Sequence, residues 1–285
     1  MSQIEGVVSS LRRHPVKSML GETAPALLLD ADGVIGDRAF AVLDEETGLI
    51  ASAKNPRKWR GLLTISARSG GRWTHADAPP PVHLTLPDGR VYEVGDPLVH
   101  KEIGAVVGRE VRVVSTPPPG AAMERSGPVE VLDHGIDADV PVLVNEVGGA
   151  PAGRFLDYGP VHLLTTATLA RIGRLAHAGR AMPAVRYRPN VVLDLGEHVT
   201  GFAENDWPGL RVRIGPEVVL KVLLPTPRCA VPTLAHDELP PDMSALAVVA
   251  AANRVEAVWG QACAGCYASV ESPGRIAVGD PVSIA

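Results

Sequence analysis

A cysteine stands in a proline-rich stretch where its chemistry can be controlled. Residues 225–233 read Pro-Thr-Pro-Arg-Cys-Ala-Val-Pro-Thr and follow an apolar run, residues 218–224, that predicts a strand. The prolines exclude helix and hold the segment out of a sheet ladder, so Cys229 is presented with little freedom. The adjacent Arg228 guanidinium favours the thiolate, the form that attacks or binds metal. A buried structural cysteine beside a surface arginine is the alternative interpretation.

Cationic and hydroxyl side chains in the first part of the chain suit an anion. Lys17 and Ser18 follow a predicted first strand, residues 4–11, and Arg38 begins a later strand. Together they form a plausible phosphate grip. Taken alone, residues 12–18 are explained better by a solvated basic turn. A second basic cluster, residues 54–60, is a candidate rim for anion entry or a plain solvated loop.

The second half offers further polar groups at the ends of predicted elements. Thr165 and Thr166 precede a predicted helix, residues 167–178, and one of them is expected to be its N-cap. A capped helix start also exposes N–H groups and hydroxyls that can hold an anionic or pterin-like ligand. Arg188 and Asn190 lie just before a predicted strand, residues 191–194, and place a guanidinium and an amide at its start.

A C-x-x-C motif lies near the end of the chain. Cys263 and Cys266 have the spacing of a redox pair or of half a zinc site. No second C-x-x-C and no paired histidines complete a zinc set, and the βαβ setting of a thioredoxin-like motif is missing. Neither interpretation is favoured, and both thiols are candidates for simple packing residues.

Composition sets the class of protein. The chain has 285 residues, 46% hydrophobic and 21% charged, which is typical of a globular protein of one or two domains. A net charge of −5 gives no basic footprint for nucleic acid. No apolar run approaches the roughly 20 residues that cross a bilayer. Three cysteines argue for metal or redox use rather than a secreted disulfide framework. We therefore expect a cytoplasmic monomer that binds neither nucleic acid nor membrane.

The order of predicted elements indicates a mainly β fold with some helix. Many short strands and turns fit the 29 glycines and 26 prolines. Helical spacing is found in residues 97–108 and 167–178, and residues 243–259 form an apolar run of good helix formers. A polar passage rich in proline and glycine begins at residue 116 and predicts a linker or active-site flap at residues 119–141. It divides the chain into residues 1–118 and 142–285.

Short motifs occur in a characteristic order along the chain. They are Pro-Val-Lys-Ser at 15–18, Gly-Asp-Arg at 36–38, Pro-Val-His-Leu-Leu-Thr-Thr at 160–166, Arg-Pro-Asn at 188–190, Arg-Cys at 228–229, and Tyr267 followed by Val-Gly-Asp-Pro-Val at 278–282. This order resembles the MOSC proteins with a MOSC N-terminal β-barrel domain, a type that includes the mitochondrial amidoxime-reducing component and its bacterial relatives. The resemblance covers nearly the whole chain and implies an N-terminal β-barrel-like domain followed by a MOSC β-barrel with peripheral helices.

The resemblance also implies a cofactor and the residues that hold it. Cys229 matches the cysteine whose thiolate binds molybdenum in the molybdenum cofactor, Mo-molybdopterin, and sulfur ligands suit that metal. The positions that match residues holding the pterin and its phosphate are Lys17, Ser18, Arg38, Arg188 and Asn190. Further matches near the cofactor are the hydroxyl pair Thr165 and Thr166, Arg228 of the Arg-Cys pair, and Tyr267, for which a plain core tyrosine is the alternative.

The implied function is the reduction of N-hydroxylated compounds such as hydroxylamines, amidoximes or N-hydroxylated bases, by oxygen-atom transfer to molybdenum. Three cysteines cannot hold an iron–sulfur cluster of the four-cysteine type, so electrons are expected from a separate flavoprotein reductase or ferredoxin. One alternative is a sulfur or cofactor carrier with a persulfide on Cys229. Another is an anion-binding barrel without catalysis. Pro227 stands where the family usually has a serine, and residues 234–242 lack its acidic-glycine turn, which bears on substrate choice.

Overall fold

The computed structural model describes residues 4–74, 79–146, 154–177 and 179–285. Within them the fold is mainly β, as expected, with 37% strand and 22% helix. The strands are β1 (Ile4–Arg13), β2 (Glu22–Thr23), β3 (Ala26–Asp30), β4 (Gly33–Val34), β5 (Ala41–Asp44), β6 (Ser66–Ser69), β7 (Val82–Thr85), β8 (Val91–Glu93), β9 (Val111–Val114), β10 (Ala122–Ser126), β11 (Val142–Glu146), β12 (Val161–Thr165), β13 (Val191–Asp194), β14 (Arg211–Ile214), β15 (Val218–Pro227), β16 (Arg254–Val255), β17 (Gln261–Ser272), β18 (Gly274–Ala277) and β19 (Pro281–Ile284).

The helices are short and lie outside the sheets. The α-helices are α1 (Pro56–Trp59), α2 (Val99–Val107), α3 (Pro128–His134), α4 (Thr166–His177) and α5 (Ser244–Ala252). Single 3-10 turns occur at Arg60–Thr64, Ala184–Tyr187, Ala203–Asp206, Val231–Thr233 and Glu256–Val258. No helix in these ranges is long and apolar enough to span a membrane.

Seven strands close into a barrel. Their order is β12-β13-β1-β19-β14-β15-β17, and β17 pairs back with β12 to complete the circle. The β12–β13 pair is parallel and the remaining barrel pairs are antiparallel. The barrel interior is filled by apolar side chains, among them Leu163, Leu193, Trp207 and Leu220, each at most 2% exposed. Closure leaves no free sheet edge among these strands, so the barrel is a stiff support for the loops that it carries.

The first strand belongs to this barrel although it is far from the other barrel strands in sequence. β1 pairs with β13 on one side and with β19 on the other, so residues near positions 4–11 lie beside positions 191–194 and 281–284. A register shift between Val8 and Ser10 marks a bulge. The extra residue lets both Val8 and Leu11 face the interior, although strict alternation would separate them. β1 therefore pairs with strands of the second half, across the division predicted between residues 1–118 and 142–285.

Two small sheets of the first half, β6-β7-β8 and β5-β9, lie around a second core. A third sheet, β3-β4, is extended by β18 from the end of the chain and packs on the barrel core through Leu27, Leu29 and Val34. The second core includes Val42, Leu62, Leu84 and Ile103. Helix α2 confirms the helical spacing of residues 97–108, and its C-cap, Gly108, has the left-handed conformation (φ 70°) that ends a helix at low cost.

Residues 119–141, predicted as a linker or active-site flap, contain β10 and α3, and Met123 packs in a core cluster with Phe155. Two other local predictions need correction. The predicted helix over residues 243–259 ends at Ala252, since β16 must pair with β17. The prolines at 225 and 227 do not leave the ladder, because β15 continues to Pro227 with register shifts at the positions that cannot donate.

The placement of β1 yields a stability prediction. We expect Leu11→Ala to lower the free energy of unfolding of the barrel by about 2–5 kcal/mol, because it empties buried volume between strands from both ends of the chain. Val7→Ala is the control: Val7 is 43% exposed, and its loss is expected to change stability by about 0.5 kcal/mol or less. Urea unfolding followed by fluorescence of the buried barrel residue Trp207 measures both. An unchanged midpoint for Leu11→Ala would contradict the assignment of β1 to the barrel.

Candidate functional site

One cavity of about 510 Å³ is lined by residues from both halves of the chain. It collects most of the side chains that the sequence singled out. Those that line it are Lys17, Ser18, Arg38, Arg188, Arg228, Cys229 and Tyr267. Lys54, from the second basic cluster, lines it as well. The sequence patterns that predicted an anion grip therefore meet at one place, together with the cysteine.

Backbone geometry holds several of these residues in place. Lys17 leaves the end of β1, where its N–H donates to the Phe40 carbonyl oxygen (2.8 Å). Ser18 has φ of 63°, Arg38 has φ of 51° and Arg188 has φ of 55°, all in the left-handed region that non-glycine residues rarely adopt. Backbone strain of this kind persists only where the surrounding structure enforces it, and it clusters at functional sites.

A carboxylate sits between two lysines on the cavity wall. Lys17 Nζ donates to the Phe155 carbonyl oxygen (2.9 Å) and to Asp157 Oδ1 (2.5 Å), and Lys54 Nζ lies 3.1 Å from the same oxygen. Burial lowers the pKa of Lys17 to about 8, even though Asp157 opposes the shift. Burial also disfavours the Asp157 carboxylate, but the two lysines outweigh it and hold the pKa of Asp157 well below its ordinary value.

Arg38 is anchored by its sequence neighbour. Its Nη1 donates to Asp37 Oδ2, and Asp37 Oδ1 accepts from the N–H of His14 (2.7 Å). Burial alone would raise the pKa of Asp37, but the Arg38 charge and the His14 hydrogen bond keep it far below the usual range. Asp37 therefore remains ionised and fixes the guanidinium that faces the cavity.

Arg188 is the group that most clearly lacks a counter-charge. Its Nη1 donates to the Met19 carbonyl oxygen (2.6 Å), whereas Nη2 is buried and has no hydrogen-bond partner within the described ranges. Burial, followed by the nearby charge of Arg38, lowers the pKa of Arg188 to about 9. A buried donor without an acceptor is unfavourable. A bound anion in the cavity would supply that acceptor and relieve the repulsion between the two arginines.

Cys229 and Arg228 follow directly after β15. Cys229 is a free, half-buried cysteine, and Arg228 is held by three acceptors. Its Nη1 donates to the Tyr187 carbonyl oxygen (3.1 Å), its Nε to the Thr226 carbonyl oxygen (3.2 Å), and its Nη2 to His162 Nε2 (2.9 Å). These bonds fix the peptide that carries the cysteine, so the thiol position is set by the barrel.

His162 is a functional candidate that the sequence did not assign. Burial, then the charge of Arg228, holds its pKa well below the ordinary value, so the ring is neutral and its Nε2 accepts from Arg228. A Cβ at position 265 would lie 2.7 Å from His162 Nε2, and Gly265 has φ of 75°, so glycine is required there. The only sequence signal was the position of His162 inside the motif at 160–166.

Tyr267 completes the inner wall. Its ring lies 5.7 Å from the His162 ring and 5.8 Å from the Tyr158 ring, centroid to centroid. Burial raises its pKa to about 12, and the negative charges of Asp157 and Cys229 act in the same direction. The phenol therefore keeps its proton at neutral pH and can donate a hydrogen bond near Cys229.

Thr165, Thr166 and Asn190 do not line the cavity. Thr165 is buried, its N–H and hydroxyl donate to Glu204 Oε1 (2.7 and 2.9 Å), and its Oγ1 accepts from the Thr168 N–H (3.1 Å). This confirms the N-cap interpretation for Thr165.

The side chains of Thr166 and Asn190 are used in hydrogen bonds within the fold. Thr166 Oγ1 donates to Asp194 Oδ1 (3.3 Å). Asn190 Oδ1 accepts from the His162 N–H (3.0 Å), and its Nδ2 donates to the Arg12 carbonyl oxygen (3.4 Å). Asn190 thus joins three strands of the barrel and supports His162 from behind.

The C-x-x-C pair also stays out of the cavity lining. Both thiols lie in β17 and are fully buried; Cys266 packs in the barrel core. Burial raises the pKa of Cys263 to about 11 and that of Cys266 well above its ordinary value. Protonated, buried thiols are poor nucleophiles and poor metal ligands. No cluster of three or more metal-ligating residues is found in the part of the chain that the structure describes.

The structure is a closed β-barrel that presents a cysteine and several cationic side chains to one cavity, and the chemistry of this lining suits a small anionic ligand. Two family models match this chain: "MOSC domain" over residues 152–283 and "MOSC N-terminal beta barrel domain" over residues 5–74. The chain belongs to the MOSC-domain proteins and carries the N-terminal β-barrel domain of that family.

The solved structures to which the chain is similar are distant in sequence. The YUAD protein from Bacillus subtilis is 11% identical, with 99% of this chain and 97% of that chain covered and a TM-score of 0.41. YiiM from Geobacillus stearothermophilus is 17% identical, with 45% of this chain and 54% of that chain covered and a TM-score of 0.31. No curated protein matches the sequence significantly.

The pKa of Lys17 predicts how anion binding changes with pH. Lys17 is charged below about pH 8 and neutral above it, so affinity for sulfate should fall as pH rises through 8. Between about pH 7 and about pH 9 we expect a loss of roughly tenfold, since charge-assisted hydrogen bonds contribute about 1.5–3 kcal/mol. Lys17→Arg keeps its charge in this range and should lose about twofold at most.

Calorimetric titration of cofactor-free protein with sodium sulfate measures the effect. Sulfate keeps its double charge over this range, so the pH dependence belongs to the protein. Identical pH profiles for the wild type and Lys17→Arg would show that Lys17 does not contact the anion.

Proposed function

We propose that this protein is a molybdenum-cofactor oxidoreductase that reduces N-hydroxylated compounds. The observation that carries the proposal is the meeting of Cys229 and the unpartnered Nη2 of Arg188 at one cavity. A thiol at the wall offers a metal ligand, and a buried cationic donor without an acceptor calls for an anion such as a phosphate. MOSC domains are associated in general with binding of the molybdenum cofactor.

The residues present fit that group. Cys229 would ligate the metal through its thiolate. The phosphate would be held by the cationic side chains that line the cavity, namely Lys17, Lys54, Arg38 and Arg188. When bound, the cofactor would supply the two electrons that reduce the N–O bond and would accept its oxygen atom.

Residues of the chain itself would position the metal ligand and donate protons to the substrate. Arg228 fixes the Cys229 peptide through its three acceptors, so the ligand is placed before the cofactor arrives. Tyr267 keeps a proton on its Oη, where it can donate to the oxygen or nitrogen of a substrate. Overall, an N-hydroxyl group, two electrons and two protons give an amine and water. A separate flavoprotein reductase or ferredoxin would supply the electrons.

A sulfur or cofactor carrier with a persulfide on Cys229 is the second candidate, and an anion-binding barrel without catalysis is the third. No contact around Cys229 favours a carrier over an enzyme. Analysis of purified protein separates all three: equimolar molybdenum with an organic pterin supports the enzyme, cyanide-labile sulfur on a metal-free protein supports the carrier, and absence of both supports simple anion binding.

Cofactor retention should depend on Arg188. Arg188→Ala removes the guanidinium with the unsatisfied donor, and we expect molybdenum occupancy to fall about tenfold or more with the fold intact. Arg174→Ala, an exposed arginine on α4, is the matched control and should retain full occupancy. Elemental analysis and thermal melting measure metal content and fold. Full occupancy of a well-folded Arg188→Ala protein would remove Arg188 from the binding site.

The chemistry should depend on Cys229. Cys229→Ser is expected to abolish reduction of a simple amidoxime driven by a chemical reductant, because serine does not provide the thiolate ligand, while pterin content is largely kept. Cys263→Ala removes a sulfur that lies outside the cavity lining and should keep most activity. An active Cys229→Ser enzyme would rule out the ligand role, and an inactive Cys263→Ala beside it would move the chemistry to the C-terminal pair.

A further inference from the structure

Trp259 is an exposed tryptophan in a fixed position. The side chain is 84% exposed, whereas the other tryptophans, Trp59, Trp73 and Trp207, are at most 8% exposed. The loop that carries it is nevertheless well anchored. Val258 is fully buried, and strands β16 and β17 pair on either side of the loop. A large apolar side chain is therefore held out into solvent by a constrained backbone, which folding alone does not require.

The backbone of Trp259 is also unfavourable. Its φ is 53°, and its N–H donates to the Glu256 carbonyl oxygen (3.0 Å). Asparagine or glycine adopts this left-handed conformation more easily than an aromatic residue. Position 259 thus combines exposed apolar surface with a strained backbone, and a smaller polar residue would remove both costs.

The strained backbone of Trp259 lies among the residues that line the cavity. Six non-glycine residues with left-handed backbone occur among those that the structure describes, and four of them line the cavity. These four are Ser18, Arg38, Arg188 and Trp259. The first three bring hydroxyl and guanidinium groups to the wall. Trp259 shares their conformation and their location, so its indole is part of the same binding surface.

The aromatic and cationic parts of the cavity are at different depths. Lys17 and Arg228 are nearly buried, whereas Trp259 and Tyr158 are 84% and 55% exposed and form the rim. The Tyr158 ring lies 5.8 Å from that of Tyr267, which is half-buried and lines the same cavity as Cys229. The cavity that holds Cys229 therefore has exposed aromatic faces at its rim.

We infer that Trp259 is a specificity-determining residue that stacks against a flat, conjugated ring of the substrate at the cavity rim. Indole faces attract planar π systems more strongly than saturated chains of similar size. The inference rests on the proposed N–O reduction and narrows its substrate class to N-hydroxyl groups attached to, or part of, a planar ring system. An exposed tryptophan is also a common anchor for a protein partner, and this second use is an outcome that the test distinguishes.

Binding of product analogues tests the stacking without any turnover. Benzamidine and acetamidine carry the same amidinium group, but only benzamidine carries a ring. We expect benzamidine to bind the wild type about tenfold more tightly than acetamidine and to quench the fluorescence of Trp259. Trp259→Asn keeps a residue that accepts the left-handed backbone. It should lower the affinity for benzamidine about tenfold, leave that for acetamidine unchanged, and leave the melting temperature equal or higher. Trp259→Phe should keep most of the preference.

Kinetics with matched substrates then connects the stacking to function. For Trp259→Asn with a chemical reductant, the ratio of kcat/KM between an aryl and an alkyl amidoxime should fall about tenfold, mainly through KM, at unchanged molybdenum content. A protein that reduces neither amidoxime but still prefers benzamidine would refute the proposed function and leave the stacking intact. Equal affinities for the two amidines in the wild type, or equal losses for both in Trp259→Asn, would overturn the inference. Loss of turnover only with a protein electron donor would assign Trp259 to partner docking instead.

Discussion

Positive charge concentrated in one largely buried cavity is the constraint on which the surrounding structure depends. Arg38 and Arg188 disfavour each other's charge, and burial weakens both Lys17 and Arg188 as cations. Like charges at this depth are expensive unless they are paired. The fold supplies two carboxylates, Asp37 and Asp157, and these remain ionised because the cations surround them. The compensation is incomplete, since Arg188 Nη2 has no acceptor among the described residues, and a bound anion would satisfy this unpaired donor.

The closed barrel makes this arrangement possible because it removes the freedom of the groups around the cavity. Lys17 follows β1, Arg188 precedes β13, and Cys229 follows β15, so each is attached close to a strand that is paired on both sides. His162 and Tyr267 lie within the strands that close the barrel. Arg38 and Lys54 come instead from loops outside the barrel, Arg38 between β4 and β5 and Lys54 between β5 and α1. Rigid elements place side chains more accurately than free loops do, and a metal site needs that accuracy.

Several residues around the cavity adopt backbone conformations or environments that lower the stability of the fold. Left-handed backbone at non-glycine residues is found mainly along its wall, and each instance costs about 1–2 kcal/mol relative to ordinary backbone. Burial, reinforced by the charges of neighbouring arginines, holds the pKa of His14 and of His162 well below the ordinary value, so the fold also carries two neutral buried imidazoles. The apolar cores of the barrel and of the smaller sheets offset these costs at a distance from the site. Such a distribution is typical of a fold that supports a binding function.

The sequence by itself determined the mainly β class, the family and the residue types at the site. The proline spacing around Cys229 and the positive charges of Lys17 and Arg38 could be identified from the sequence, because they depend only on residue type and local order. The tertiary structure decided which groups share a cavity. Thr165 and Asn190 looked like ligand contacts because they stand at element ends, but their hydrogen bonds are used within the fold.

For Trp259 the sequence pattern failed in the other direction, because it gave no sign that this residue lines the cavity. Its apolar neighbours predicted a helix, and only the pairing of β16 with β17 turned it outward. The same limit applies to β1, whose partners lie nearly 200 residues away or more. Periodicity reports the neighbours of a residue along one element, whereas burial and shared cavities depend on contacts between distant segments, which no local pattern encodes.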